Sequence, residues 1–435
     1  MISKPHPIDK SNHVVNDPEL KAFYGLPENV IFCKKCTYSN QKPNSEKESK
    51  HTSETKKPTV AFDDEGVCFA CRIAEEKEQV NWDDRRKELE ELCAKYRRND
   101  GQYDVLVPGS GGKDSFYASW VLKHEFGMNP LTVTWAPHIY TDWGWKNFES
   151  WTDAGFDNYL FTPNGKIHRL LTRLALDRLL HPFQPFMFGQ MHFPPKLAAK
   201  LGISLVFYGE NPVEYGNSTK GKSQGIKDWD HISSEAIDDI YLAGTSVAEL
   251  KDEFGVKAVD LESYMPPTAE LQSEYRLDIR YLGYYLKWHP QNCYYSAVEN
   301  SNFRAAPERN VGSYSKYSSI DDKIDDFHYY TTFIKFGIGR ATYDTAQEIR
   351  NGDITREEGL SLVKQYDGEY PSRFEDDFFK YVSLPKSDFP VASKQFEQSI
   401  VDREYFMNLI DNHRSPHLWK RTNSGWQLRH RPYDK

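Results

Sequence analysis

The sequence predicts an α/β protein: a parallel-sheet core behind an N-terminal zinc ribbon, with a helical C-terminal region. Three observations predict it. A β-branched strand at 104–107 runs into the turn Gly109-Ser110-Gly111-Gly112-Lys113-Asp114-Ser115, and an amphipathic helix follows from Phe116. Strand-like and helix-like segments then alternate, the pattern of a parallel sheet with crossover helices. Ahead of them stand two Cys-x2-Cys pairs, Cys33 with Cys36 and Cys68 with Cys71.

The glycine turn is the most informative of the three. Glycines at a strand-to-helix corner let backbone N–H groups close around an anion, and the helix N-terminus adds partial positive charge. A phosphate is the expected guest. Backbone donors at Gly111 and Gly112, with the hydroxyls of Ser110 and Ser115, form the cradle. Lys113 supplies a point charge and Asp114 a carboxylate for Mg²⁺. The plain alternative for Asp114 is an ordinary helix N-terminal carboxylate favoured by the dipole. The spacing is not that of the Gly-x4-Gly-Lys loop of common triphosphatases. It resembles the PP-loop of the N-type ATP pyrophosphatases, the adenine nucleotide alpha hydrolase-like fold, which cleave ATP between the α and β phosphates.

The paired cysteines read as a structural Zn²⁺ site. Two knuckles deliver four thiolates at tetrahedral geometry and leave no open position for catalysis. Hydrophobic residues lead into each knuckle, Val30-Ile31-Phe32 and Phe62 with Val67. Cys93 and Cys293 stand alone, and Cys93, on a helical apolar stripe with Trp82, Leu89 and Tyr96, reads as core. Residues 39–57, rich in Ser, Lys, Glu, Asn and Thr, read as a solvated loop or disordered insertion.

Composition sets outer bounds. At 435 residues the chain is long enough for two or three domains. A net charge of −9 provides no global field for nucleic acid or an anionic membrane surface. Mean hydropathy is −0.73, and no apolar run is long enough to span a bilayer. The first residues lack a signal-peptide core, which points to the cytoplasm. Expected divisions are 1–100 for the ribbon and linker helix, 101–345 for the core with an insertion around 214–275, and 346–435 for the helical region. Within these, 81–98 reads as a charged linker helix. Strands are expected at 104–107, 130–135, 158–162 and 204–208. Helices are expected at 167–180 and 196–201, with a Pro- and Phe-rich passage at 181–195 between. Segments at 327–343, 345–351 and 357–364 read as helical or turn-linked, and Thr355 with Glu358 carries a capping box.

Read together, these motifs resemble the N-acetyl sugar amidotransferases of bacterial surface-glycan pathways, the WbpG and PseA type. The likeness is carried by 62–71, 107–115, Tyr208-Gly209-Glu210-Asn211, Phe336-Gly337-Ile338-Gly339-Arg340-Ala341-Thr342 and 349–359. It spans roughly residues 33–371. The resemblance implies an ATP-dependent conversion of a sugar acetamido group into an acetamidino group, through an adenylated intermediate. It also implies ammonia from a glutaminase and cyclase pair like that of imidazole glycerol phosphate synthase. The chain itself has no glutaminase motif, and residue 2 is Ile.

Several residues take expected roles beside the loop. Glu210, at the end of a strand, is set to bind Mg²⁺ or orient the sugar amide. Lys335 and Arg340 flank a glycine turn and are the candidates for a distal cation reaching the ATP phosphates, with Asp344 and Arg350 weaker. Trp135 and His138 lie where adenine stacks, although a core tryptophan fits equally. His192 reads as a structural histidine. The competing readings are a tRNA-thiolating enzyme, which would want a basic face and an extra cysteine pair, and a non-catalytic zinc-ribbon scaffold.

Overall fold

The computed structural model describes residues 1–16, 19–44, 56–217, 225–226 and 237–434. The Cys pairs open the fold, and Phe69–Lys77 forms α1 from the second pair. Helix α2 (Trp82–Tyr96) follows, with Asn81 as N-cap accepting from the amides of Asp83 and Asp84. Strand β1 (Val105–Pro108) leads through the glycine turn to α3 (Lys113–His124). Then come β2 (Pro130–Trp135), α4 (Asp142–Asp153), β3 (Asn158–Phe161), α5 (Gly165–Leu179), α6 (Gln184–Lys200) and β4 (Leu205–Tyr208). A fifth strand, β5 (Asp278–Tyr281), and α7 (Pro290–Asn300) complete the sheet layer. The C-terminal region holds α8 (Asp325–Phe336), α9 (Arg340–Asn351), α10 (Arg356–Tyr366), α11 (Glu375–Val382) and α12 (Arg403–Asn412).

The five strands pair in the order β3-β2-β1-β4-β5, all parallel. The chain winds outward from β1 to β3 and returns to β4 on the other side of β1. That reversal makes a crevice at the carboxyl ends of β1 and β4. Alternation sorts the side chains onto two faces. Val105, Val107, Leu205 and Phe207 pack with α2, α3 and α7 through Leu89, Val121 and Cys293. Leu106, Leu131, Val133, Val206 and Ile279 pack against Ala198 and Ala199 of α6.

Three sequence expectations need correction. The helix expected at 196–201 starts earlier, because α6 runs unbroken through Pro194 and Pro195. Proline at 194 cannot donate to the carbonyl of Gln190, and the Tyr208 hydroxyl donates to that carbonyl at 3.4 Å instead. Burial among aromatics holds the helix against its intrinsic preference. Residues 39–44 are not a solvated loop: Ser39, Gln41, Lys42 and Asn44 are all buried. Gln41 bonds the Pro27 carbonyl and His417, and Lys42 lies over the rings of Tyr38 and Tyr343. The middle of that expected insertion, 45–55, lies outside the described residues. Finally, part of the 214–275 insertion is core, since Leu242, Val247, Leu250 and Tyr264 pack with Trp135 and Phe186.

Buried charge ties the sheet layer to the C-terminal helices. Arg173 on α5 is fully buried. Its Nε donates to Asp177 at 2.8 Å, and its Nη atoms donate to the carbonyls of Ser399 (2.8 Å) and Gln398 (2.7 Å) and to the Tyr405 hydroxyl (3.1 Å). Removing a guanidinium from such a cage strands a carboxylate and several carbonyls. Arg173→Ala is expected to cost about 3–5 kcal/mol, read by denaturant melting, with the metal content of the chain unchanged.

Candidate active site and metal centre

The glycine turn has the shape its composition implies. Gly112 is the N-cap of α3, in extended conformation and without a side-chain cap, so the first-turn amides face the turn. Gly111 has φ +85°, and a Cβ there would lie 2.7 Å from the Phe148 Cα and 3.0 Å from the Asn147 carbonyl. Any other residue would be both strained and obstructed. A Cβ at Gly109 would run into the Ser115 side chain. Gly112 meets only Ser110 Oγ, at 3.7 Å, so the side facing outward is open. Behind the turn, Ser115 Oγ donates to the Gly112 carbonyl at 3.1 Å, and Trp151 Nε1 donates to Ser119 Oγ at 2.8 Å.

Lys113 is buried, with Nζ 2.5 Å from Asp114 Oδ2. Burial opposes its charge, but the Asp114 and Glu210 carboxylates outweigh that and hold it above the ordinary lysine range. Asp114 Oδ1 is buried without a hydrogen-bond partner, which suits a cation ligand. Gly209 brings the end of β4 against α3: a Cβ there would lie 3.6 Å from the Asp114 carbonyl. Glu210 follows, and its carboxyl is pushed up to about 7 by burial and then by Asp114. The Tyr215 hydroxyl donates to Glu210 Oε1 at 2.5 Å, and Gln347 Nε2 donates to the Tyr215 oxygen at 2.8 Å.

Helix α9 supplies the facing wall. Arg340 is buried, with Nε 3.1 Å from Asp344 Oδ1, Nη1 2.8 Å from Ser319 Oγ and its guanidinium 4.2 Å from the Tyr329 ring centre. One turn on, Glu348 accepts from the Tyr314 hydroxyl at 2.7 Å and is pushed up to about 7 by burial. The Tyr317 hydroxyl, itself raised by burial, feels the charges of both Glu348 and Lys113. On the other flank, Ser110 hydrogen-bonds the buried Asp321 carboxyl.

The structure thus gathers Ser110, Gly111, Gly112, Lys113, Asp114, Ser115 and Glu210 at one crevice, with Asp344 and Glu348 of α9 reaching it electrostatically through Tyr317, while Arg340 is engaged by Asp344, Ser319 and Tyr329. Lys335 is elsewhere. Its Nζ donates to the Leu179 carbonyl at 2.6 Å and sits over the Tyr24 ring in the C-terminal core. The neighbouring glycine turn joins two helices: a Cβ at Gly339 would collide with the Asp367 carboxylate. Trp135 is core, packed on Phe161 and Tyr264. His138 is clasped by Asp322 at 2.7 Å and stacks on His168, closed to any base. His192 is structural, bonded to the Tyr264 carbonyl. Sequence reasoning missed Tyr215, Tyr317, Gln347 and Glu348. The i, i+4 spacing of Arg340, Asp344 and Glu348 was the available signal.

The four cysteines form a candidate metal centre. Their sulfurs lie within 4.8 Å of one another and all are buried. Amides point at them, Lys35 N and Cys68 N at Cys33 Sγ and Tyr38 N at Cys36 Sγ. Four soft thiolates in a closed, amide-lined cage fit zinc. The knuckle docks on the C-terminal region. Arg356 donates to the carbonyls of Cys36 (3.3 Å) and Cys33 (3.1 Å), and Thr37 Oγ1 donates to the Thr342 carbonyl at 3.1 Å. Arg350 belongs here and not with the glycine turn: burial opposes its charge, while Tyr38 and the sulfurs of Cys36, Cys71 and Cys68 favour it.

Fold and site define a parallel α/β protein with a glycine-turn crevice, a four-cysteine centre able to hold zinc and a helical C-terminal region. Residues 311–432 match the family model described as LPS biosynthesis protein WbpG-like, C-terminal domain. The match bears out the WbpG-type resemblance, carries it past the expected limit at residue 371, and supports a role in lipopolysaccharide-type glycan biosynthesis. An uncharacterized protein of Methanocaldococcus jannaschii is 36% identical over 83 residues, which are 19% of this chain and 29% of that protein. The chain therefore spans under a third of that relative. Among the described residues, no helix is long and apolar enough to cross a membrane.

Two outcomes follow from this geometry. A structural zinc is worth roughly 10 kcal/mol or more to a small knuckle. Cys36→Ser is expected to abolish bound zinc, measured by elemental analysis, and to lower the melting temperature. A carboxyl held above its ordinary value binds its proton more tightly folded than unfolded, so the Glu348 contribution to stability falls as pH rises from about 4.5 to about 7. Glu348→Gln removes that dependence, and its melting temperature should decline less than wild type across this range.

Proposed function

We propose that the protein is an ATP-dependent amidotransferase that turns an acetamido group of a surface-glycan sugar into an acetamidino group. The observation that supports this reading most is Lys113 and Asp114 at an uncapped helix N-terminus, beside the raised carboxyl of Glu210, in a chain with a WbpG-like domain. An amide oxygen is a poor leaving group. Attack of that oxygen on the α phosphorus of ATP forms a P–O bond and releases pyrophosphate, leaving an imidate ester. Ammonia then adds to the imidate carbon, and the C–O bond breaks with departure of AMP.

In this reading the turn amides and the hydroxyls of Ser110 and Ser115 hold the β and γ phosphates, and Lys113 offsets charge on departing pyrophosphate. Asp114, with its unpartnered Oδ1, and Glu210 hold Mg²⁺, which neutralises phosphate charge when bound. Arg340, held by Asp344, is a fixed positive charge on α9. Lys335 takes no part. Ammonia comes from a separate glutaminase subunit, and the zinc is structural.

The test uses purified protein with ATP, ammonium and a panel of diacetamido sugars, free and nucleotide-linked. Sugar-dependent release of AMP and pyrophosphate is expected, with the small mass loss of replacing O by NH. Lys113→Ala should lower turnover by at least about a hundredfold, the scale of losing a preorganised charge, with zinc content intact. Retained turnover would remove the phosphate role from the glycine turn.

A further inference from the structure

Behind the crevice the protein has a second opening. A small cleft lies between α1, the last turn of α9 and the Trp288–His289 loop. Ala74 and Lys77 line its outer part, and Glu214 and Gln347 line it too. Gln347 also donates to Tyr215, whose hydroxyl donates to Glu210. One hydrogen-bonded pair, Tyr215 with Gln347, therefore separates the cleft from the carboxyl beside Lys113. Tyr215 and Glu214 are neighbours on the same short turn, Pro212–Tyr215, with Glu214 lining the cleft and Tyr215 bonded to Glu210.

The charge of the cleft restricts what it admits. Lys77, Lys287, His289 and Arg350 line it. Its carboxylates are engaged by cations, Glu214 by Lys77 at 2.5 Å and Glu78 by Lys287 at 2.9 Å. The Lys77 ammonium also donates to the Trp288 carbonyl at 3.0 Å, bracing the wall. Such a lining disfavours a small cation and offers donors and acceptors to a small neutral polar molecule.

We infer that this cleft is the entrance for neutral ammonia, with Tyr215 and Gln347 as its inner barrier. The inference rests on the amidotransferase reading. Ammonia arriving past Tyr215 forms the C–N bond through its lone pair, the proton it sheds passes to the imidate nitrogen, and AMP leaves with the C–O electron pair. ATP and sugar keep the open side of the glycine turn, so the nucleophile and the large substrates enter by different routes.

Ala74 lines the cleft and has no place in the chemistry, so it carries the test. Two reactions are measured with whichever panel sugar turns over: sugar-dependent exchange of labelled pyrophosphate into ATP without ammonium, and amidation with ammonium chloride. Ala74→Trp is expected to raise the KM for ammonium at least tenfold and leave the exchange at the wild-type rate. Ala74→Cys, folded first and then labelled with a bulky methanethiosulfonate, should do the same and recover on reduction; all native cysteines are buried. An unchanged ammonium KM in the labelled protein overturns the inference, as does exchange that falls in step with amidation. Wild-type protein with no exchange for any sugar sinks the amidotransferase reading itself and the inference with it.

Discussion

Helix α9 is held from two sides, and the rest of the site depends on that. One side, through Thr342, Thr345 and Ala346, receives the four-cysteine knuckle. The other side carries Asp344, Gln347 and Glu348, which reach the site through Tyr317 and Tyr215. Four sulfurs within 4.8 Å make the knuckle a rigid block once metal is bound. The knuckle docks on α9 through Thr37 and on α10 through Arg356, so its packing bears on where the facing wall stands. A loose knuckle would let α9 drift, and catalytic geometry tolerates little drift.

The crevice is organised by a surplus of carboxyls around few cations. Asp114 and Glu210 share Lys113, so one proton or one bound cation must settle the remaining charge. Glu348 and Asp344 share a second basin around Arg340 and Tyr314. Both basins hold a carboxyl near neutrality. Groups of that kind move protons at physiological pH with little driving force lost, whereas the Arg173–Asp177 cage is fully enclosed and serves the fold.

Local chemistry was legible in the sequence; long-range packing was not. The glycine turn, the cysteine pairs and the Thr355–Glu358 capping box each depend on residues a few positions apart, and all three formed. Pro194 and Pro195 argued against a helix because their cost is local, while the burial that holds α6 comes from distant aromatics. β5 went unread because Asp278-Ile279-Arg280-Tyr281 is an edge strand with a single buried hydrophobe. Lys335 and Arg340 look alike around one glycine turn, yet α8 points the first into the core and α9 turns the second toward Asp344. Residues 39–44 read as solvent-facing by composition, and only their fit beneath Tyr343 and His417 buries them.

The docking of the knuckle has a consequence in time. Arg356, which braces the carbonyl of Cys36, lies 320 residues beyond it. At a synthesis rate of roughly 5–20 residues per second, that delay is on the order of 15–65 s. The thiols are complete long before their platform exists. A knuckle that captures metal early folds as a small independent unit and waits, its Thr37 face uncovered. The centre is then assembled in the reverse order of its use: metal first, scaffold last.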